Sequence, residues 1–266
     1  MTVQCDYVVA TFPCADPTGL IMQRMLSQLQ NGRDMAFRGF TGRQLDGLFF
    51  GYRPYDDRII VQAVGRQSNA GIAAIMQYAA NRALSVARFD AQVTFPVDNA
   101  DNIILFAQPN KRYQAMRISN LRERGETLYV GSATSAYRLR VYNKSAQSGA
   151  TPDKGEYIRF EITFRNSLAD SAYKAYTEGN IEVYFLGYLS KMIDTVTLNT
   201  VRYVLDKNMT LRPELFETDN NDSLGRTKMW LEQTVMPCLQ KLSARDPEYV
   251  RNFIDRLDNI KPDMLE

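Results

Sequence analysis

The chain has no histidine among its 266 residues. That absence excludes Ser-His-Asp and Cys-His nucleophilic systems, a histidine general base and the common zinc centres. Any metal would have to rest on oxygen ligands, which suits Mg²⁺ or Mn²⁺. Cysteine is scarce as well: Cys5, Cys14 and Cys238 are odd in number and follow no metal-ligand spacing, so neither a disulfide framework nor a thiolate site is expected. Reduced, cytoplasmic residence fits that usage. No run of about 18 apolar residues occurs, so no membrane span is expected. The opening MTVQCDYVVATF reads as a strand rather than a signal peptide. An excess of one charge sign is also missing, since the net charge is only +2.

What is present is ordinary for a globular protein, 45% apolar and 23% charged. The informative signal is alternation. From Tyr157 to Arg165, Ile158, Phe160, Ile162 and Phe164 fall on one side of a strand and Tyr157, Arg159, Glu161, Thr163 and Arg165 on the other. Tyr137 to Lys144 repeats this, with Leu139 and Val141 inward and Arg138, Arg140, Tyr142 and Lys144 outward. Val86 to Phe95 does so again, with Arg88, Asp90, Gln92 and Thr94 opposite Phe89, Ala91, Val93 and Phe95. If these strands share a sheet, it has one apolar face and one that mixes arginines with Asp90 and Glu161. Residues 111 to 144 also hold eight basic side chains against two acidic ones, with tyrosines interleaved. That composition suits either a phosphate-tracking surface or a solvated basic sheet face.

Strands follow strands with few helices between them, which predicts an α+β fold with a largely antiparallel, open, saddle-like sheet. One face is expected to be charged, with helices covering the other. Strands are expected at Val3 to Phe12, Met35 to Phe40, Leu48 to Tyr52 and Arg58 to Gly65, with TGRQLDG and RPYDD as turns between them. Helices are expected from Asp16 to about Gln30, from Ser68 or Asn69 to about Arg82, and through Glu182 to Leu205. Further helices are expected from about Arg226 to Lys241 and from Asp246 to Leu257, with Trp230 as a core anchor. The element order hints at two related halves, although no sequence repeat marks them. A boundary near residue 207 is expected between an α+β domain, 1–207, and a helical C-terminal segment, 208–266, which either packs on the covered face as part of the same domain or forms a small appended lobe.

Five blocks carry a family resemblance: VQAVGRQS (61–68), SVARFDAQVTF (85–95), TLYVGSATSAYRLRVYNK (127–144), YIRFEITFRNSLA (157–169) and GRTKMWLEQTVMPCLQKL (225–242). In order and spacing the chain resembles the trans-acting rolling-circle replication initiators, the Rep_trans family of plasmid and phage initiators and related relaxases of integrative elements. The resemblance implies a metal-dependent strand transferase. A tyrosine attacks one phosphodiester of a single-stranded or hairpin origin, keeps the 5′ phosphate, and leaves a 3′ hydroxyl to prime synthesis. It also implies DNA as partner, a homodimer and a cooperating host helicase.

Matched residue by residue, the resemblance makes Asp90 and Glu161 the metal ligands and places the nucleophile in the helix after R-F-E, at Tyr173 or Tyr176. With Leu168, Ala172 and Ala175 as the buried stripe, Tyr176 lies about 80° from Leu168 and Tyr173 about 140°, so Tyr173 is the freer phenol. Lys144 and Arg140 would neutralise the phosphate or stabilise the leaving oxygen, unless they only form a solvated strand face. Arg88, Arg138 and Arg159 complete a DNA-binding set, with Ser132 and Ser135 contacting the backbone or simply forming a turn. Two positions depart from the family pattern: Asn143 stands where an aspartate is usual, and Thr94 where an acidic residue often follows. Asn143 would then be a neutral third ligand and metal affinity lower. The alternatives are a relative that binds DNA without cleaving it, and a globular interaction protein whose charged face is unrelated to DNA.

Overall fold

The computed structural model describes residues 2–16, 18–80, 82–120, 125–148, 156–205, 247, 248 and 251. The chain divides into two compact units, Met1–Pro213 and Glu214–Glu266. The helices expected after residue 225, and Trp230, lie outside the described residues.

The first unit is α+β, with one antiparallel sheet of ten strands in the order β2-β3-β4-β5-β1-β6-β10-β9-β8-β7. The chain runs β1 (Gln4–Pro13), α1 (Leu20–Ser27), β2 (Arg33–Phe37), β3 (Phe40–Leu45), β4 (Leu48–Arg53), β5 (Arg58–Val64) and α2 (Ser68–Tyr78). It then runs β6 (Ser85–Val97), α3 (Ala100–Phe106), β7 (Ala115–Asn120), β8 (Gly125–Val130), β9 (Tyr137–Asn143), a short α4 (Lys144–Ser148), β10 (Glu156–Arg165) and α5 (Ser167–Thr177). Helices α6 (Ile181–Met192) and α7 (Thr195–Leu205) follow. Each half is therefore a strand, a helix, a four-strand meander and a helix, and the first strands of the halves, β1 and β6, pair at the centre. The two halves hinted at by the element order share a topology without sharing a sequence.

Segment TGRQLDG, expected as a turn, contains most of β3. Its polar run hides the strand from a pattern search, but the turns at its ends define it. Arg38 and Gly39 have φ of 51° and 78°, and Asp46 and Gly47 have φ of 50° and 93°. Two successive positive-φ residues make the tight hairpin that matches strand twist, and they pair Phe37 with Phe40 and Leu45 with Leu48. The single helix expected through Leu205 is two, because Ile193 bridges to Pro109 and the Asp194 carboxylate accepts from the first turn of α7.

Helices α2, α3 and α5 cover one face of the sheet, and α6 packs on α5 and reaches the same face through Tyr184. Phe89 meets the Tyr176 ring of α5 at 5.6 Å, and Phe164 meets the Tyr184 ring of α6 at 5.1 Å. Phe95 and Phe160 stack on the same side, and each fully buried ring of this kind contributes about 1.5–3 kcal/mol. Among the described residues no helix lies over β6, β10 and β9 on the other face, and the polar side chains of these strands gather there.

Candidate active site on the open face

Register fixes which side chains meet. Across β6 and β10, Asp90 faces Thr163, Gln92 faces Glu161 and Thr94 faces Arg159. Across β10 and β9, Glu161 faces Arg140 and Arg159 faces Tyr142. Asp90 and Glu161 are therefore diagonal neighbours on adjacent strands, as the alternation requires. Both are nearly inaccessible, at 2% and 6%.

Each carboxylate has its own arginine. Arg88 grips Asp90 with two bonds, Nε to Oδ1 at 2.8 Å and Nη2 to Oδ2 at 2.5 Å, and lies over the Tyr7 ring. Arg140 Nη1 stands 3.9 Å from Glu161 Oε1. A third carboxylate, Asp6, accepts from Arg159 Nη1 at 3.1 Å. Simple alternation would turn Asp6 away from Tyr7, but β1 breaks register against β6 between Cys5 and Tyr7. Such bulges re-aim a side chain beside a functional site.

Burial raises the pKa of Asp90, and Arg88 offsets only part of that. Burial likewise raises that of Glu161; Arg140 opposes the rise, while Asp90 and Asp6 add to it. The three carboxylates are close enough to repel one another.

Tyr7 and Tyr142 both bring a phenol to this cluster: Tyr7 faces Asp90 across β1 and β6 under the Arg88 guanidinium, and beside Glu161 stands Tyr142, itself buried. Its hydroxyl donates to Glu161 Oε2 at 3.3 Å, and its ring lies 3.8 Å under the Arg140 guanidinium. Burial, then the Glu161 charge, pushes its pKa up to about 12, against Arg159 and Arg140. Lys144 Nζ, 6.0 Å from that ring, donates to Gln147 Oε1. Its pKa is lowered by burial and then by Arg159.

The structure separates both phenols of α5 from the carboxylates, which corrects the expectation for Tyr173 and Tyr176. They lie on the helix-covered face. Tyr173 is buried and Tyr176 only partly so, the reverse of the order expected from a helical wheel. The wheel assumed one covered side, whereas α5 packs on both the sheet and α6. The Tyr176 hydroxyl donates to Asn69 Oδ1 at 3.0 Å.

Asn143 requires a second correction. Paired with Ile158, it points to the covered face, donates to Asp101 Oδ1 at 3.1 Å and accepts from Ala146 N–H at 3.0 Å. It cannot share a ligand set with Glu161, so the missing aspartate leaves the open face unaltered. Thr94 Oγ1 accepts from Arg159 Nε and donates to Gln92, which ties it into the arginine network. Arg138 stacks on Tyr129 at 4.2 Å. Ser132 Oγ accepts from Thr134 N–H, and the Ser135 carbonyl accepts from Arg165, so both serines build the β8–β9 turn.

The donors have the chemistry a hard cation prefers, three carboxylates, although each is already matched by an arginine. Among the described residues, however, no three acidic or thiol side chains converge to hold a metal. Both oxygens of Asp90 are already taken by Arg88. A cation would have to displace an arginine.

The replication initiation factor model matches residues 104–257, more than half of the chain, and the chain belongs to that family. A solved structure described as a rolling circle replication initiator protein from Geobacillus stearothermophilus is similar in fold, with a TM-score of 0.57 and 18% identity over 73% of this chain and 86% of the other. No curated protein matches the chain. Among the described residues, no helix is long and apolar enough to cross a membrane.

Proposed function

We propose that this chain is a rolling-circle replication initiator that nicks and rejoins origin DNA, single-stranded or extruded as a hairpin, through Tyr142. The observation that carries this reading is the Tyr142 hydroxyl resting on a buried carboxylate, among arginines, on the open face of a sheet of this family. The Tyr142 oxygen attacks phosphorus and its proton passes to Glu161 Oε2, the acceptor it already meets at 3.3 Å. The bond from phosphorus to the 3′ oxygen breaks, leaving the 5′ phosphate on the tyrosine. Lys144, whose Nζ lies 6.0 Å from the Tyr142 ring, gives a proton to the departing 3′ oxygen. Arg140 and Arg159 stabilise the charge that develops on the phosphoryl oxygens. Rejoining is the same path reversed.

Mg²⁺ or Mn²⁺, held by Asp90 and Glu161, would polarise the scissile phosphate. A cytoplasmic homodimer working with a host helicase completes the reading, and relaxase activity on an integrative element is the same chemistry on another substrate. A second reading, DNA binding without cleavage in replication control, draws support from the arginines that already neutralise the carboxylates.

Incubation with supercoiled plasmid carrying the cognate origin and Mn²⁺ tests both. Nicked circles with protein on the 5′ end, lost in Tyr142→Phe and kept in Tyr173→Phe and Tyr176→Phe, are the expected outcome. Retention of the covalent product by Tyr142→Phe would remove Tyr142 from the mechanism. Binding without nicking would select the second reading.

A further inference from the structure

Beside the carboxylate cluster, at the starts of β1 and α2, lies a cleft of about 370 Å³. Arg66, Lys144 and Arg159 stand in its wall, with Asp6 as the acidic member and the amides Asn69 and Gln92 between them. Arg159 is already paired with Asp6, so Arg66 and Lys144 make the cleft positive. Neither is committed elsewhere by a strong bond. Arg66 pairs with Asp46 at 3.1 Å through side chains that are 78% and 56% exposed, a contact worth little in water. Among the described residues, the hydrogen-bond partner of Lys144 is a neutral amide, that of Gln147.

The cleft is continuous with the proposed chemistry. Lys144 Nζ and the Arg159 guanidinium each lie 6.0 Å from the Tyr142 ring. Asn69, in the first turn of α2, is oriented from behind by the Tyr176 hydroxyl. Tyr176 thus serves as a positioning residue here rather than as a nucleophile. The amides suit the edges of a base or sugar, and the volume admits one nucleotide but not a duplex, whose major groove alone is about 12 Å wide.

We propose that this cleft is a nucleotide subsite for single-stranded DNA, seating the residue next to the scissile phosphate with its phosphate on Arg66 and its polar edge on Asn69. This rests on the nicking assignment and extends it, because it makes the strand's single-stranded character a condition for correct seating at Tyr142.

The test uses the full chain, wild type, Arg66→Ala and Asn69→Ala. Binding of a short labelled oligothymidylate and of a duplex of equal length is followed by anisotropy between about 50 and 200 mM NaCl. Arg66→Ala is expected to weaken single-strand binding several-fold and to reduce the salt slope by about 0.7, the share of one phosphate contact on a single strand, with duplex binding unchanged. Asn69→Ala is expected to weaken single-strand binding with the slope unchanged, since it removes no charge. Thermal melting of Arg66→Ala should match wild type, because the side chain is exposed. An unchanged slope in Arg66→Ala, or equal weakening on duplex, overturns the subsite while leaving the nicking assignment intact. Failure of wild type to bind single strands at all overturns both.

Discussion

The two halves of the sheet share one topology and use the same face in opposite ways. On β6, β9 and β10 that face carries Asp90, Glu161, Tyr142 and their arginines. On β1, β3, β4 and β5 the register places Val9, Phe40, Phe49 and Ile60 there, closed off with Tyr7, Met35, Phe37 and Ala87 into a small core of their own. The first half curls on itself. Gly42 faces Gly51 across β3 and β4, and a Cβ at Gly51 would stand 2.7 Å from the Phe49 ring. The lesson is a division of labour: the apolar half anchors β1, and β1 in turn holds Tyr7 and Asp6 against β6.

Breaking the apolar half should cost the most. Phe49→Ala removes a wholly buried ring and is expected to destabilise the fold by about 3–5 kcal/mol in denaturant melts. A loss near zero would mean that this core does not support the sheet. Next comes Gly51→Ala, expected to cost about 1–3 kcal/mol because the added methyl has no space beside Phe49 and Phe40. A variant as stable as wild type would show that the curl is looser than described.

The charged half should respond with the opposite sign. Glu161 has a folded-state pKa above its ordinary value of 4.5, so the folded state binds the extra proton. Stability therefore falls as pH rises from that ordinary value through the raised one, and stays reduced above it. Glu161→Gln removes this penalty. In chelator-treated protein at neutral pH it should be the more stable form in thermal melts, with the gain shrinking on acidification, while nicking is lost. A destabilised Glu161→Gln would mean that Arg140 compensates the charge more fully than its 3.9 Å separation suggests.

Much of this was legible in strand parity. Alternation put Asp90, Glu161 and Tyr142 outward on their strands, and the structure assembles them on one face. Parity also turns Asn143 to the side of Leu139 and Val141, away from Glu161. Tyr142 shares the carboxylate face by parity alone, whereas the α5 phenols follow only from the family resemblance. Asp6 was not legible, because the bulge that swings it round depends on the pairing of β1 with β6. Nor was the burial of Tyr173, which needs α6 as well as the sheet.

The sequence alone determined that no imidazole takes part, that hard oxygen donors are what remains, and which side chains along each strand share a side. Those are local properties, set by residue type and by the pleat's period of two. Tertiary structure alone decided that β1 lies between β5 and β6, that Asp6 joins the cluster, and that the α5 phenols stand behind the sheet. The physical reason is that a strand's neighbours are selected by long-range pairing and by the burial of whole faces, which no single segment encodes.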